Sequence, residues 1–292
     1  MKSIPFYIVD VFAQNKYQGN QLAVFLDCGG LSTEQMQQIA NETHFAETTF
    51  IVSGKKENGG YDVRIFTPDA EVPFAGHPTL GTAYILQKEM EKDSSERILL
   101  NLGVGQIPVA FEVGGDLWMK QNQPQFGPMF DKGVLAKILS IPSDAIDGSY
   151  PLKAVSTGLA SVIVPLSSLD AVKACHINHS LYRAFLDETY KANLLVFCRE
   201  TYHKENTLHV RVFCDDTGFP EDAATGSANG NLAGYLLECD YFGKKELNYC
   251  VEQGYSIKRP SLVKVKAGKE GALYAIYVGG QVFQIAKGEW EI

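Results

Sequence analysis

The chain repeats itself. Val63, Arg64 and Phe66 recur as Val210, Arg211 and Phe213, 147 residues later, and the pairs Phe50/Phe197 and Asp69/Asp216 keep that offset. Further on, Glu71, Gly76, Ala83 and Leu86 recur as Glu221, Gly226, Ala233 and Leu236, 150 residues later, so three residues are inserted between the blocks. An echo at so long a period implies two copies of one supersecondary unit. A chain of 292 residues is then expected to form two similar halves related by a pseudo-twofold axis, each with its own core.

Within the first copy, residues 6–12, 22–26, 47–52 and 61–66 are rich in β-branched and aromatic side chains and read as strands. Ser32 or Thr33 can cap a helix over roughly 33–41. Further strand-like runs follow at 97–102, 106–113 and 116–120, and a helix-like segment at 131–140. The cluster from Pro124 to Pro128 reads as a linker. The expected halves are residues 1–124 and 129–280; whether the last strand, near 281–292, returns to the first half is left open.

Helices are expected to open at Gly76 and at Gly226. Both are full of small residues: Gly81, Thr82 and Ala83 in one, Ala228, Gly230, Ala233 and Gly234 in the other. Glycine inside a helix costs roughly 0.5–1 kcal/mol against alanine. A sheet packed closely around the helix offsets that. The expected fold class is therefore α+β, with two pseudo-symmetric domains, each a barrel-like, mostly antiparallel sheet around a central helix.

Charge excludes several partners. A net charge of -8 provides no basic stripe for nucleic acid and no attraction to an anionic membrane. No stretch reaches the ~18 apolar residues of a membrane span. The six cysteines form no CxxC pair and no zinc-type spacing with histidine, so no metal is expected and reduced thiols in a cytoplasm are.

The two copies place similar elements at corresponding points. Thr67-Pro68-Asp69 ends a strand before Gly76-His77-Pro78, and Asp215-Asp216-Thr217-Gly218 ends one before Thr225-Gly226-Ser227. A helix start exposes unpaired N–H groups and a partial positive charge, suited to a carboxylate or a developing enolate. Either start alone also reads as a tight strand-to-helix turn. Asp69 reads as a turn residue, and Ser156-Thr157-Gly158 as a turn able to meet a carboxylate.

Three stretches carry a family resemblance: Phe45-Ala46-Glu47-Thr48-Thr49-Phe50, Gly76-His77-Pro78-Thr79-Leu80-Gly81 and Glu221-Asp222-Ala223-Ala224-Thr225-Gly226-Ser227-Ala228. With Gly19-Asn20 and the strand after it, they resemble the signature stretches of the PhzF-like isomerases, named for a phenazine-biosynthesis enzyme. The resemblance implies the fold of diaminopimelate epimerase, an active site between two halves, a homodimer and no cofactor. By motif, Glu47 matches the family's acid/base glutamate, and His77, Asp222 and Ser227 its other site residues. Asn20, Gly76, Thr225 and Gly226 are the expected substrate contacts. In the phenazine enzyme the glutamate takes a proton from one carbon of a dihydro-hydroxyanthranilate and returns it to another.

The expected activity is thus a cofactor-independent isomerisation of a small carboxylated metabolite. Phe45 and Phe50 are expected to wall Glu47, and the helix dipole to keep His77 neutral, bonded to substrate or Asp222. Ser227 reads equally as a helix cap. Ala223 stands where the family often has proline. Related epimerases place facing cysteines just before each helix glycine; Ala75 and Thr225 stand there and cannot act as thiolates. A binding protein without turnover and a one-base epimerase are the alternative readings.

Overall fold

The computed structural model describes residues 3–92, 94–214 and 219–292. Asp215, Asp216, Thr217 and Gly218, expected to end a strand, lie outside the described residues. The chain forms two compact units: Met1–Lys120 with Gly279–Ile292, and Gln121–Val278.

Unit one comprises β1 (Ser3–Val11), β2 (Asn20–Phe25), α1 (Thr33–Thr43), β3 (Glu47–Ile51), β4 (Gly60–Phe66), β5 (Glu71–Val72), α2 (Gly76–Glu89), β6 (Arg97–Leu102), β7 (Gly105–Phe111) and β8 (Leu117–Lys120). Unit two comprises β9 (Gln125–Met129), α3 (Lys132–Ile138), β10 (Lys153–Ser156), β11 (Ala160–Pro165), α4 (Leu169–Ala174), α5 (His179–Glu188), β12 (Asn193–Cys198), β13 (Leu208–Phe213), β14 (Glu221–Asp222), α6 (Gly226–Glu238), β15 (Glu246–Gln253), β16 (Ser261–Glu270) and β17 (Leu273–Gly280) as far as Val278. The final strand, β18 (Val282–Glu291), pairs antiparallel with β1, and its Trp290 stands edge-on to Phe6 and Phe25 in unit one.

The strand pairing repeats. In unit one β1 and β2 are antiparallel, β2 and β3 parallel across α1, β3 and β4 antiparallel, β4 and β6 parallel across α2, and β6 and β7 antiparallel. Unit two follows the same order through β10–β11, β11–β12, β12–β13, β13–β15 and β15–β16. The sheets are mostly antiparallel, with parallel pairs where a helical crossover carries the chain back. The run 124–128 that reads as a linker instead contributes to β9, which pairs with β10.

Each unit wraps a sheet face around one helix. In α6 every residue from Gly226 to Leu237 is buried. A Cβ on Gly81 of α2 would sit 2.6 Å from a Leu22 methyl and 2.9 Å from a Val11 methyl, and one on Gly234 of α6 would sit 2.8 Å from Pro124 Cβ. Helix glycines are tolerated because strands press on them. The other sheet face carries a second core. In unit one α1 sets Met36, Ile39 and Ala40 on Phe25, Phe50 and Phe66; in unit two α3, α4 and α5 cover Leu194, Val196 and Cys198.

The echo is not exact in space. Phe50 lies opposite Arg64, but Phe197 lies opposite Val210, one residue short of the matching arginine. A one-residue slip turns side chains to the other face. Accordingly Phe50 packs under α1, while Phe197 packs on Tyr235 of α6 and on Tyr241. The matched arginines keep their role. Arg64 grips Glu71 through Nε and Nη2 at 2.7 and 2.6 Å, and Arg211 grips Glu221 the same way at 3.0 and 2.7 Å. Each pair clamps the short strand that leads into the central helix. Among the described residues, no helix is long and apolar enough to cross a membrane.

Candidate active site

In β3, alternation sorts the side chains. Thr48 meets Thr43 of α1 at 2.8 Å, whereas Thr49 accepts a hydrogen bond from Thr82 of α2 at 2.8 Å. Glu47 therefore shares the α2 side, and its Oε2 lies 3.5 Å from His77 Nε2 at the α2 start. Phe50 is three residues away and faces α1. Phe50 belongs to the core on the α1 side, against which Phe45 also packs, so the expected Phe50 wall does not stand beside Glu47.

His77 is 4% exposed and held from both ends. Its Nδ1 meets Asn20 Nδ2 at 3.1 Å, and its Nε2 meets the Gln21 carbonyl at 3.3 Å. A carbonyl only accepts, so Nε2 carries the proton and Nδ1 receives the Asn20 amide. Burial pushes the imidazole down to about 3. The expected neutral ring results, with burial as the leading cause.

Between about pH 6.5 and 3, the unfolded chain protonates His77 while the folded chain does not. Stability must therefore fall as pH drops through that window, by up to about 1.4 kcal/mol per unit. The urea midpoint is expected to fall more steeply from pH 6.5 to 4.5 in the native protein than in His77→Gln. Equal slopes would show that the ring is charged in the fold.

The α6 start is built differently. Asp222 ends β14, and Thr225 is the N-cap of α6. The Thr225 hydroxyl donates to Asp222 Oδ2 at 2.6 Å. Ser227 is the second helical residue and 8% exposed, so Thr225 and not Ser227 occupies the cap position. Gln253, at the end of β15, is fully buried against this turn and bonds Thr225, Asn229 and the Asp222 carbonyl.

Capping separates these two helices from the rest. The N-cap side chains Ser32, Asp131, Ser168 and Asn178 each bond back to the first turn of α1, α3, α4 and α5. Neither Ala75 at α2 nor Thr225 at α6 does so. A side-chain cap is worth ~1 kcal/mol, and its omission leaves first-turn N–H groups available to another acceptor.

Gly76 and Gly226 are the first residues of the two helices, as the sequence predicts. Asp69 sits in a turn held by Thr67 Oγ1, which accepts from the Asp69 and Ala70 N–H groups. The Thr157 N–H and hydroxyl both donate to Asn231 Oδ1, so that turn is engaged with α6. All six cysteines are free, and burial pushes the Cys28, Cys175 and Cys198 thiols up to about 12. Among the described residues, no group of three or more His, Cys, Asp or Glu side chains is placed to hold a metal ion.

Sequence reasoning missed Gln253. Glu252-Gln253 looks like a solvated strand end, yet both residues are 0% exposed. The only signal is Gly254 after it, whose Cβ would strike the Ala223 carbonyl at 2.5 Å, showing how closely β15 approaches the loop.

Comparison with known proteins follows the same lines. Residues 9–288 match the family described as phenazine biosynthesis-like protein. The chain is 33% identical to the trans-2,3-dihydro-3-hydroxyanthranilate isomerase of Pseudomonas aeruginosa, over 97% of this chain and 98% of that one. It is 36% identical to the Pseudomonas fluorescens enzyme of the same name, with the same coverage. A Bacillus anthracis phenazine biosynthesis protein of the PhzF family superposes with a TM-score of 0.90 at 30% identity, covering 100% of both chains. A hydroxyproline epimerase from Agrobacterium vitis shares the fold at a TM-score of 0.63 and 9% identity, over 99% of this chain and 91% of that one. With one family matched from end to end and curated isomerases aligned over nearly the whole length, the chain belongs to the PhzF family and is an isomerase.

Proposed function

We propose that the enzyme isomerises a small carboxylated metabolite by moving one proton between two of its carbons, in a cleft between the two units, with Glu47 as base and then acid. The observation that carries this reading is the Glu47 carboxylate, 3.5 Å from the buried neutral imidazole of His77, at a helix start without a side-chain cap. Glu47 takes the proton from a substrate C–H, and the electron pair moves into the conjugated system of the substrate. The protonated Glu47 then returns the proton to a second carbon. Atoms and electrons balance with no co-reactant, and general acid–base catalysis of this kind contributes typically ~10²–10⁴-fold.

The other residues have supporting roles in this reading. First-turn N–H groups of Gly76, Gly226 and Ser227 hold the substrate carboxylate and the charge that develops on it. His77, held by Asn20 and by the Gln21 carbonyl that takes its Nε2 proton, is a neutral wall beside Glu47. Asp222 accepts from a substrate amine or hydroxyl. The name of the Pseudomonas relatives' substrate, trans-2,3-dihydro-3-hydroxyanthranilate, supports a ligand with carboxylate, amine and hydroxyl on one ring. A homodimer belongs to the same reading.

The test is exchange in deuterium oxide with that compound and a panel of small amino and hydroxy acids. Deuterium at a substrate carbon is the expected result. Tight binding without label would make the protein a binder, and neither binding nor label would discard the carboxylate class.

A further inference from the structure

Gln253 makes four hydrogen bonds and is fully buried. Its Oε1 accepts from Thr225 N–H at 3.2 Å and from Asn229 Nδ2 at 3.0 Å. Its Nε2 donates to the Asp222 carbonyl at 3.0 Å and to Thr225 Oγ1 at 2.9 Å. The amide orientation is fixed by its main-chain partners, because an N–H only donates and a carbonyl only accepts. Thr225 Oγ1 must then receive the Gln253 proton and pass its own to Asp222 Oδ2. The chain of donors runs one way, from Gln253 through Thr225 to Asp222.

This arrangement has a second consequence. Threonine is a good N-cap, but Thr225 Oγ1 is engaged on both sides and does not bond the first turn of α6. Among the described residues, unit one shows no counterpart. Pro73 presses on Gly103 as Ala223 presses on Gly254, so Leu102 occupies the place of Gln253, and the cap residue there is alanine. The duplicated helix start has thus been specialised on one side only.

We infer that Gln253 is a positioning residue: it turns the Thr225 hydroxyl onto Asp222 and away from α6, so that Asp222 is presented as an acceptor and the helix tip stays uncapped. The inference rests on the proposed substrate site at that tip, and Gln253 itself acts only through Thr225 and Asp222.

Gln253→Glu tests the direction of the chain at constant shape. It retains the acceptor for Thr225 N–H and Asn229 but removes both donors. In its crystal structure the Thr225–Asp222 bond is expected to open beyond about 3.5 Å, the hydrogen-bonding limit. With trans-2,3-dihydro-3-hydroxyanthranilate as probe, KM is expected to rise about tenfold or more with kcat changed less than about threefold, in line with one lost charge-assisted hydrogen bond. Thr225→Val, which keeps the backbone bonds to Gln253, is expected to give the same KM rise, and the double variant no further rise. A Thr225–Asp222 bond still near 2.6 Å in Gln253→Glu overturns the inference whatever the activity. So does an unchanged KM in Thr225→Val, or additive effects in the double variant, which would indicate separate packing roles. A broken bond with unchanged kinetics on the probe would instead remove Asp222 from the proposed site.

Discussion

Glu47→Gln is expected to lower isomerisation about 10³–10⁴-fold while substrate affinity stays within about threefold. Glutamine has nearly the shape of glutamate but cannot carry a proton between carbons. The neighbouring groups should not move to compensate. His77 is neutral because it is buried, not because of the charge on Glu47, and Asn20 and the Gln21 carbonyl keep its ring in place. Thr49 remains pinned to Thr82, so β3 keeps its register against α2. Three measurements on one sample decide the matter: turnover, deuterium incorporation at the substrate carbon, and equilibrium binding of the same compound. Retained turnover would remove Glu47 as the shuttle. Loss of binding along with turnover would make it a binding group.

Arg211→Met is expected to destabilise unit two by about 3–5 kcal/mol, whereas Arg64→Met should cost about 1 kcal/mol or less. The two arginines are sequence equivalents with the same two-pronged grip on a glutamate, so burial and the further partners of Arg211 separate them. The Arg211 and Glu221 side chains are both 8% exposed, against 28% for Arg64 and 41% for Glu71. Arg211 Nη1 also donates to the Val172 and Cys175 carbonyls at the end of α4, at 3.0 and 2.8 Å. Methionine would leave the Glu221 carboxylate without its guanidinium partner and the Cys175 carbonyl without the Arg211 donor, while the Val172 carbonyl keeps the Cys175 N–H. Exposed Glu71 would be rehydrated. At about 2–4 °C per kcal/mol, thermal denaturation should show a drop of roughly 10 °C or more for Arg211→Met and a few degrees at most for Arg64→Met. Replacing Arg211 and Glu221 together by apolar residues should recover much of the loss, because no unpaired charge remains. Equal shifts for the two single variants would rule out this account.

The repeated blocks foretold two units, and they did so through residues whose contacts are local. Arg64 with Glu71, and Arg211 with Glu221, join neighbouring strands of one hairpin, so the copies preserve the contact although the second turn is three residues longer. The glycine-led helices were legible for a related reason. Gly81 and Gly234 admit no side chain where strands press on the helix, and that demand is written at single positions. Motif order likewise marked Glu47 and His77, which unit one brings to 3.5 Å.

Facing and long-range polar contacts were not legible. Phe50 lies three residues from Glu47 in the chain but packs under α1, because alternate residues of a strand point to opposite faces. Phe50 and Phe197 match in sequence but face different cores, because the β12–β13 register slips by one residue. Gln253 is 28 residues from Thr225 and 31 from Asp222, and the return of β18 to β1 spans nearly the whole chain. From residue order alone came the duplication, the helix starts and the candidate site residues. Folding in three dimensions set which face each side chain occupies, how the α6 start is held and where the last strand pairs. Such choices depend on register and on hydrogen bonds between distant segments, and no local pattern of residues encodes them.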